Sequence, residues 1–331
     1  MKQALTPERL DPGALEGHCV AVLGFGAQGR AQALNLRDAG VDLVVGLRAA
    51  SAHREACREA GIEVCTPAVA AARADVCVLL VPDEVQPQLY EECLAPALRP
   101  GAALLFAHGY NIHYRRLMPR ADLDVVMVAP LGIGEQVRRQ YELGRGVPAL
   151  LAVHQDASGR AAAVAGGYAA ANGHARAAVF ETSFAVEAET DLFAEQAVLC
   201  GGLGQLITAA FETLTEAGYP EEVAYFCCLH EVKLIADLVQ SRGIAGMRRS
   251  ISSTAAFGDA TRGPRVIGAA SRHELRAMLA EIRDGSFAAE LDAEMAAGAP
   301  TLAAWRAAAQ AHPIEAVGER IRALMPWLEE G

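Results

Sequence analysis

The feature that most constrains the fold is a short apolar strand followed by a glycine-rich turn and a helix. Residues 19–23 are rich in β-branched side chains, and residues 30–39 follow a helical pattern. The turn between them has the spacing GxGxxG and consists of Gly24, Phe25, Gly26, Ala27, Gln28 and Gly29. Such a turn lets the backbone approach a pyrophosphate, which the helix N-terminus then binds. We therefore expect a dinucleotide site here; the alternative is a purely structural glycine turn.

Further apolar runs follow at regular spacing, with helical patterns between several of them. They cover residues 42–47, 76–81, 103–106, 125–128 and 149–153. This alternation predicts a doubly wound parallel sheet that binds ligands at the carboxyl ends of its strands. It stops near residue 180, and almost everything beyond is helical in pattern. The predicted fold class is α/β, with a Rossmann-type domain in residues 1–182 and an all-α domain in residues 183–331.

The end of the second strand bears on cofactor choice. A site that prefers NAD often places an acid there to hold the ribose 2′-hydroxyl, but this chain has Arg48. Together with Ser51, and with His53 and Arg54 as further candidates, Arg48 has the donors that suit a 2′-phosphate. NADPH is therefore favoured over NADH, and a solvated loop arginine is the alternative.

Polar residues follow the next strands, where a doubly wound sheet binds its ligands. We assign Asp83, Gln86 and Gly134 to cofactor binding. His108 stands two residues past the strand at 103–106, beside a glycine, in a position to face nicotinamide and substrate. A structural or solvated histidine is the alternative there.

Carboxylates in the helical half suggest a cation site. Asp191 and Glu195 have i, i+4 spacing and therefore share one face of the predicted helix, and Glu231 lies in a later apolar helical run. Carboxylate oxygens are ligands for hard cations such as Mg²⁺. The alternative is a solvated acidic face.

Charge and composition exclude several classes of partner. A net charge of −11 and a pI near 5.3 oppose non-specific binding to nucleic acid or anionic membranes. Residues 1–17 lack the apolar core of a signal peptide, and we expect no run of the roughly 20 apolar residues that span a bilayer. The eight cysteines show no CxxC pair, which favours a reducing, cytoplasmic location. Apolar helical faces in the C-terminal half favour a homodimer or a higher homo-oligomer.

Motifs along nearly the whole chain resemble those of the ketol-acid reductoisomerase family, in its short form (class I). They cover residues 24–37, 83–86, 106–113, 144–148, 189–196, 228–231 and 263–265. The resemblance implies a Rossmann domain for NADPH followed by a knotted helical domain. It also implies two Mg²⁺ ions, isomerisation of 2-acetolactate by alkyl migration, reduction of the product by hydride, and an active site shared across a dimer. The implied pathway is branched-chain amino-acid biosynthesis.

The same resemblance implies roles for five residues of this chain. Asp191 matches the carboxylate shared by both metals, Glu195 a ligand of the first metal and Glu231 a ligand of the second. His108 matches the active-site histidine, and Ser252 the serine that holds the substrate carboxylate.

This chain departs from the family at positions that carry chemistry. Cys227 replaces a glutamate of the second metal site, and a neutral thiol is a poor Mg²⁺ ligand, so we expect one Mg²⁺ site and a weakened second. Leu131 replaces a lysine, and residues 253–257 lack an acid and a phenol that the family carries. A buried, unreactive thiol is the favoured state for Cys227; a soft-metal ligand and a reactive thiol are the alternatives.

Alkyl migration requires both substrate oxygens to be polarised at once, whereas hydride transfer to a carbonyl or imine can proceed with one Lewis acid or proton donor. We therefore expect an NAD(P)H-dependent reductase of a small 2-keto acid, ketol acid or related imine, with the isomerase step impaired. The first alternative is an authentic ketol-acid reductoisomerase. The second is a paralogue that binds nucleotide without catalysis.

Overall fold

The computed structural model describes residues 4–328, so the ends of the predicted domains, residues 1–3 and 329–331, lie outside the described residues. The chain divides into two compact units, Met1–Thr190 and Asp191–Gly331. The first unit contains the sheet, and the second is helical. The boundary falls inside one helix, which begins at Phe184 and ends at Ala194.

A single sheet of eight strands lies in the described part of the first unit. Its order is β3-β2-β1-β4-β5-β6-β7-β8, and all neighbouring strands are parallel except β6 and β7. This confirms the predicted doubly wound α/β fold. The strands are β1 Val20–Leu23, β2 Leu43–Gly46, β3 Glu63–Cys65, β4 Val76–Leu79, β5 Ala103–Phe106, β6 Asp124–Pro130, β7 Ala149–Gln155 and β8 Val179–Glu181.

Apolar side chains alternate between two cores on opposite faces of the sheet. In β1, Val20 and Val22 belong to the core that includes Tyr168, whereas Ala21 and Leu23 belong to the core that includes Tyr90. All residues of β1, β4 and β5 are buried, because helices cover both faces. These strands are therefore continuous apolar runs, which is why they are visible in the sequence.

Eight helices in the described residues belong to or begin in the first unit, and eight more belong to the second. The former are α1 Ala27–Asp38, α2 Arg54–Glu59, α3 Pro67–Arg73, α4 Gln86–Leu89, α5 Tyr110–His113, α6 Gly134–Glu142, α7 Ala161–Ala171 and α8 Phe184–Ala194. The latter are α9 Gly201–Glu216, α10 Glu221–Tyr225, α11 Glu231–Ser250, α12 Ser253–Val266, α13 Ala269–Asp284, α14 Ser286–Ala296, α15 Pro300–Ala311 and α16 Pro313–Ala323. The all-helical prediction for this half is confirmed, and the implied knot stays a prediction.

Wide π-turns occur at three places: the first ends the helix that begins with α4, and the other two connect α8 to α9 and α10 to α11. The turns are Tyr90–Leu94, Glu195–Leu199 and Phe226–His230. In the second, the Cys200 N–H donates to the Glu195 carbonyl at 3.0 Å, five residues back. The long helix predicted from residue 184 therefore forms, but as α8, a π-turn and α9 in succession.

The second unit has a small core and many exposed apolar side chains. Its core consists of Phe211, Ala224, Tyr225, Ile314, Val317 and Ile321. By length and composition, Phe184–Glu216 could cross a membrane, although the core helix of a soluble protein passes the same test. The expectation that no run reaches such a length was therefore wrong. Only 6% of its most apolar window is buried within this chain.

The buried His174, which follows α7 and contacts the loop before β7, is expected to affect the stability of the fold in acid. The imidazole is fully buried, its Nδ1 lies 2.7 Å from the Val147 carbonyl, and Nε2 has no hydrogen-bond partner among the described residues. Burial lowers the pKa of His174 below its usual value. The native state therefore favours the neutral ring.

Because the folded pKa lies below the unfolded value near 6.5, the unfolded chain binds the proton first as the pH falls. We expect His174 to make the free energy of unfolding fall below about pH 6.5, by up to about 1.4 kcal/mol per pH unit. Chemical denaturation at pH 7.5 and pH 5.5 measures this. His174→Gln should reduce the difference, whereas His273→Gln, at an exposed position, should retain it. If the free energy of unfolding falls equally between pH 7.5 and pH 5.5 in wild type and in His174→Gln, the assignment to His174 is contradicted.

Candidate active site

The GxGxxG turn connects β1 to α1 as predicted. Gly24 has φ +105°, and a Cβ there would lie 2.5 Å from the Leu80 carbonyl oxygen, so only glycine fits. A Cβ on Gly26 would meet no atom within 4 Å, which leaves open space beside the backbone. The N–H groups of the first turn of α1 thus border a gap of the kind that a pyrophosphate fills.

The loop after β6 reaches back to this turn. A Cβ on Gly134 would collide with the Ala27 carbonyl, so the first turns of α1 and α6 touch through backbone. Gln28 Nε2 donates to the Gly132 carbonyl at 2.9 Å, and Gln28 Oε1 accepts from Gln32 Nε2 at 2.9 Å. Gln32 Oε1 in turn accepts from the buried Tyr168 hydroxyl at 2.7 Å. These contacts fix the β6 loop beside the dinucleotide turn.

The loop after β2 carries the residues expected at the cofactor ribose. Arg48 is exposed and makes no side-chain hydrogen bond or ion pair among the described residues. The Ser51 hydroxyl accepts from the His53 backbone N–H at 3.3 Å. Arg54, by contrast, donates to the carbonyls of Leu47, Cys65 and Val64 at 3.0, 3.3 and 3.4 Å. Its guanidinium is committed to the fold, so the suggestion that Arg54 holds a phosphate was wrong.

The loop after β4 is tied down by two buried amides. Gln86 Nε2 donates to the Val81 carbonyl at 3.0 Å and to Asp83 Oδ1 at 3.1 Å. Asn111 Nδ2 donates to the Asp83 carbonyl at 2.9 Å and to Gln86 Oε1 at 3.0 Å. Because Gln86 Nε2 and Oε1 both bond to protein groups, this amide supports the loop.

His108 follows β5 and pairs with an acid that the sequence analysis missed. Its Nδ1 lies 3.0 Å from Glu187 Oε1, and the backbone N–H of Gly109 donates to Glu187 Oε2 at 2.6 Å. The Glu187 side chain is 5% exposed and the His108 side chain 19%. The spacing Glu187, Asp191, Glu195 repeats i, i+4, so extending the predicted acidic face one turn backwards would have found Glu187.

One group in the described residues has the donors for a metal ion. Ligand atoms of His108, Glu187 and Asp191 lie within 4.8 Å of one another. Both oxygens of Glu187 already accept hydrogen bonds, which makes this carboxylate a support for His108. Glu195 is exposed and begins the π-turn one helical turn beyond Asp191. Two carboxylates at this spacing form a hard-oxygen pair.

The remaining predicted site residues lie on other helices of the second unit. Glu231 begins α11 and is exposed. Cys227 lies in the preceding π-turn and is also exposed, so the expectation of a buried thiol was wrong. Burial raises the pKa of the neighbouring Cys228 thiol, which keeps it protonated. The Ser252 hydroxyl caps α12 by accepting from the Ala255 N–H at 3.2 Å. Glu231 and Ser252 remain candidates for metal binding and substrate binding by resemblance.

Comparison with known proteins gives two family matches and one similar full-length structure. Residues 14–178 match the family "Acetohydroxy acid isomeroreductase, NADPH-binding domain", and residues 184–327 match "Ketol-acid reductoisomerase, C-terminal domain". A solved NADH-preferring ketol-acid reductoisomerase from an uncultured archean is 42% identical, with a TM-score of 0.94 over 97% of this chain and 99% of that one.

Two more distant structures share the fold alone. A putative oxidoreductase from Jannaschia sp. CCS1 is 17% identical over 81% of this chain and 97% of its own, with a TM-score of 0.62. A semialdehyde dehydrogenase NAD-binding protein from Cupriavidus necator is 18% identical over 81% of this chain and 99% of its own, also with a TM-score of 0.62. The two family matches together cover nearly the whole chain, and the chain therefore belongs to the ketol-acid reductoisomerase family of oxidoreductases.

Proposed function

We propose that this family member uses NAD(P)H to reduce a small 2-keto acid, ketol acid or related imine, with alkyl migration impaired. The observation that carries the proposal is the His108–Glu187 pair at the carboxyl end of β5, on the edge that also holds the dinucleotide turn. Reduction requires a cofactor site and a proton donor, and these two features supply both. Cys227 and Leu131 replace an acid and a cation expected by resemblance, and each loss can cost on the order of 10²-fold in rate.

In this reduction, the residues of the protein position the substrate and protonate it. Glu187 accepts a hydrogen bond from His108 Nδ1, and we assign Nε2 as the ring nitrogen that exchanges a proton with substrate. Glu187 also accepts a hydrogen bond from the Gly109 backbone N–H, and this bond keeps the loop that carries His108 at a fixed distance from α8. A nicotinamide cofactor held by the GxGxxG turn would supply the hydride, and Mg²⁺ held by Asp191 and Glu195 would supply a Lewis acid for the carbonyl.

One Mg²⁺ site fits the residues better than two. Asp191 and Glu195 offer oxygens at helical spacing, which are the ligands that Mg²⁺ prefers. For a second site, Glu231 offers a carboxylate, but one turn earlier the chain offers only the thiol of Cys227. Thiols select softer cations. We therefore assign Asp191 and Glu195 to the stronger site and Glu231 to a weakened one.

The loop after β2 favours NADPH. Arg48 is exposed with its donors directed to no protein acceptor in the described chain, and the Ser51 hydroxyl is close by in sequence. A guanidinium and a hydroxyl suit a 2′-phosphate dianion. The similar archaeal enzyme is named as NADH-preferring, which makes NADH the second candidate.

An authentic ketol-acid reductoisomerase is the second candidate function. It is favoured by 42% identity to an enzyme of that name over 99% of that enzyme's length. In this case water or neighbouring acids would replace the missing carboxylate at residue 227. The substrate would be 2-acetolactate, and the product 2,3-dihydroxy-3-methylbutanoate. The two candidates share the reduction and differ in the migration that precedes it.

The expected assembly is a cytoplasmic homodimer or larger homo-oligomer. Large apolar side chains of the second unit, including Val198, Leu199, Leu206 and Leu234, are at least half exposed within one chain. Large apolar side chains exposed in this number favour an interface with another subunit. Light scattering should give at least twice the 34.8 kDa of one chain at micromolar concentration. A stable monomer would contradict this, and with it the expectation of an active site shared between subunits.

NADPH oxidation by the purified protein should separate the two functions. We expect turnover of the already isomerised 3-hydroxy-3-methyl-2-oxobutanoate with Mg²⁺, and turnover of 2-acetolactate at least about 10²-fold slower because migration needs both metal sites. Cys227→Glu should narrow that gap by restoring a carboxylate. Equal rates on both substrates in wild type would establish the authentic reductoisomerase instead. Turnover of neither would reject the authentic reductoisomerase and would restrict the proposed reductase to other 2-keto acids or imines.

The same assay gives the cofactor preference. With NADPH and NADH compared at low concentration, we expect kcat/KM to be higher for NADPH, and Arg48→Ala to reduce that ratio about 10-fold or more by removing charge-assisted hydrogen bonds. His53→Ala should change the ratio less. A higher kcat/KM with NADH than with NADPH in wild type would make NADH the preferred cofactor.

Glu187→Gln tests the positioning of His108. The neutral amide can accept from only one of the two N–H groups that Glu187 now receives, so we expect kcat to fall about 10- to 100-fold with the cofactor KM little changed. The pH profile of kcat/KM should also shift, because His108 loses its anionic partner. Glu189→Gln is the matched control, since its carboxylate faces His113 at 3.5 Å. An unshifted profile at full kcat would show that Glu187 is not needed.

A further inference from the structure

Three amide side chains lie on a face of α1 where a core-facing helix would carry apolar ones. Gln28, Gln32 and Asn35 have i, i+4, i+7 spacing, so they share that face. Gln32 and Asn35 are fully buried. Burying an amide costs free energy unless its donors and acceptors are bonded, and aliphatic side chains at these positions would avoid that cost. An amide stripe inside the core therefore indicates a role other than packing.

Two of these amides belong to a chain of hydrogen bonds that runs from the core to the loop after β6. The Tyr168 hydroxyl, on α7, donates to Gln32 Oε1 at 2.7 Å. Gln32 Nε2 donates to Gln28 Oε1 at 2.9 Å, and Gln28 Nε2 donates to the Gly132 carbonyl at 2.9 Å. All three distances are those of well-formed hydrogen bonds. The chain thus connects α7, through α1, to the loop that precedes α6.

The direction of each bond in this chain is fixed. The Gly132 carbonyl can only accept, so Gln28 turns its amide nitrogen to Gly132 and its oxygen to Gln32. Gln32 turns its nitrogen to Gln28, so its oxygen faces Tyr168. Burial raises the pKa of the Tyr168 hydroxyl, which therefore keeps the proton that it donates. Turning either amide over would set two oxygens against each other, so the chain has one stable arrangement.

The outer end of the chain holds two backbone segments beside the expected cofactor gap. Gln28 belongs to the GxGxxG turn, and Gly132 lies two residues before Gly134, where α6 begins. A Cβ on Gly134 would lie 2.8 Å from the Gln28 backbone nitrogen, so the first turns of α1 and α6 are in contact. Tyr168 is fully buried, and it restrains this backbone from inside the core.

We propose that Tyr168 is a positioning residue for the dinucleotide cofactor and acts through Gln32 and Gln28 on the turn that binds it. This inference rests on the proposed use of NAD(P)H. A turn that already has its bound geometry loses less conformational entropy when the cofactor binds. Without the Tyr168 hydroxyl, the Gln32 amide loses a fixed partner, and the orientation of Gln28 is no longer set from the core. Part of the binding free energy would then be spent on ordering the turn.

Tyr168→Phe tests this, because it removes the hydroxyl and keeps the aromatic ring in the core. We expect the Kd for NADPH, measured by calorimetric titration of the full-length protein, to rise about 3- to 10-fold, as for the loss of one buried hydrogen bond. Amide hydrogen exchange in residues 131–137 should become faster without cofactor, because the loop loses its anchor. The exchange measurement does not depend on the cofactor or on turnover.

Tyr90→Phe is the matched control. Tyr90 is also buried, and its hydroxyl accepts from the Arg120 backbone N–H at 2.8 Å in the core on the other face of the sheet. Its loss should lower the free energy of unfolding by an amount similar to that in Tyr168→Phe, and leave the Kd for NADPH within about twofold of wild type. A similar rise in Kd in both variants would show a general effect of stability and overturn the inference.

A double variant tests the route from Tyr168 to the turn. Gln28→Met removes the bond to Gly132 with a side chain of similar length. Adding Tyr168→Phe to Gln28→Met should change the Kd by less than about twofold, because the chain is already broken. Where Tyr168→Phe does not fold, Gln32→Met breaks the chain at its centre and should raise the Kd as much.

Three results would overturn the inference and leave the proposed function intact. They are a wild-type Kd in Tyr168→Phe, unchanged hydrogen exchange in residues 131–137 of that variant, and effects of Tyr168→Phe and Gln28→Met that multiply in the double variant. If the wild-type protein binds neither NADPH nor NADH, both the inference and the proposed function are overturned.

Discussion

Glu187 is the contact on which the candidate site depends. Its carboxylate sits almost fully buried at the start of α8 and accepts hydrogen bonds from the His108 ring and the Gly109 backbone. A buried carboxylate is stable only when its oxygens are paired, and these two donors satisfy that requirement. The same two bonds attach α8, the helix that carries Asp191, to the loop after β5. The histidine, its loop and the acidic helix are therefore positioned by one side chain.

Two positions of this chain lack the polar side chains that the family resemblance implies. Cys227 and Leu131 occupy positions at which the family resemblance implies an acid and a cation, and both side chains are exposed in this chain. Neither is used to fill a core, so packing does not explain them. The loop that carries Leu131 is held by a hydrogen bond from the Gln28 side chain to the Gly132 carbonyl. This loop therefore keeps its support at a position where the resemblance implies a cation.

Sequence patterns predicted the sheet well because its central strands are buried on both faces and so read as unbroken apolar runs. They missed β3 and β8, which are three residues long, and the antiparallel pairing of β7, which no side-chain period records. The glycines predicted the dinucleotide turn correctly, because a backbone contact at Gly24 leaves no room for a larger residue. Glu187 was missed and Arg54 was misassigned because their partners lie in other segments of the chain, and such pairings are set by tertiary structure alone.

The π-turns have a consequence for how the helices of the second unit are compared with other sequences. Each one inserts the equivalent of a single residue into a helix, and one residue turns everything after it by about 100° around the axis. An apolar stripe traced from Phe184 on an ideal helical wheel therefore loses its phase after Glu195, and one traced from Glu221 loses it after Phe226. A relative lacking one residue in either turn can form a regular α-helix there and still present the same face of the following helix, because the wide turn accommodates the extra residue.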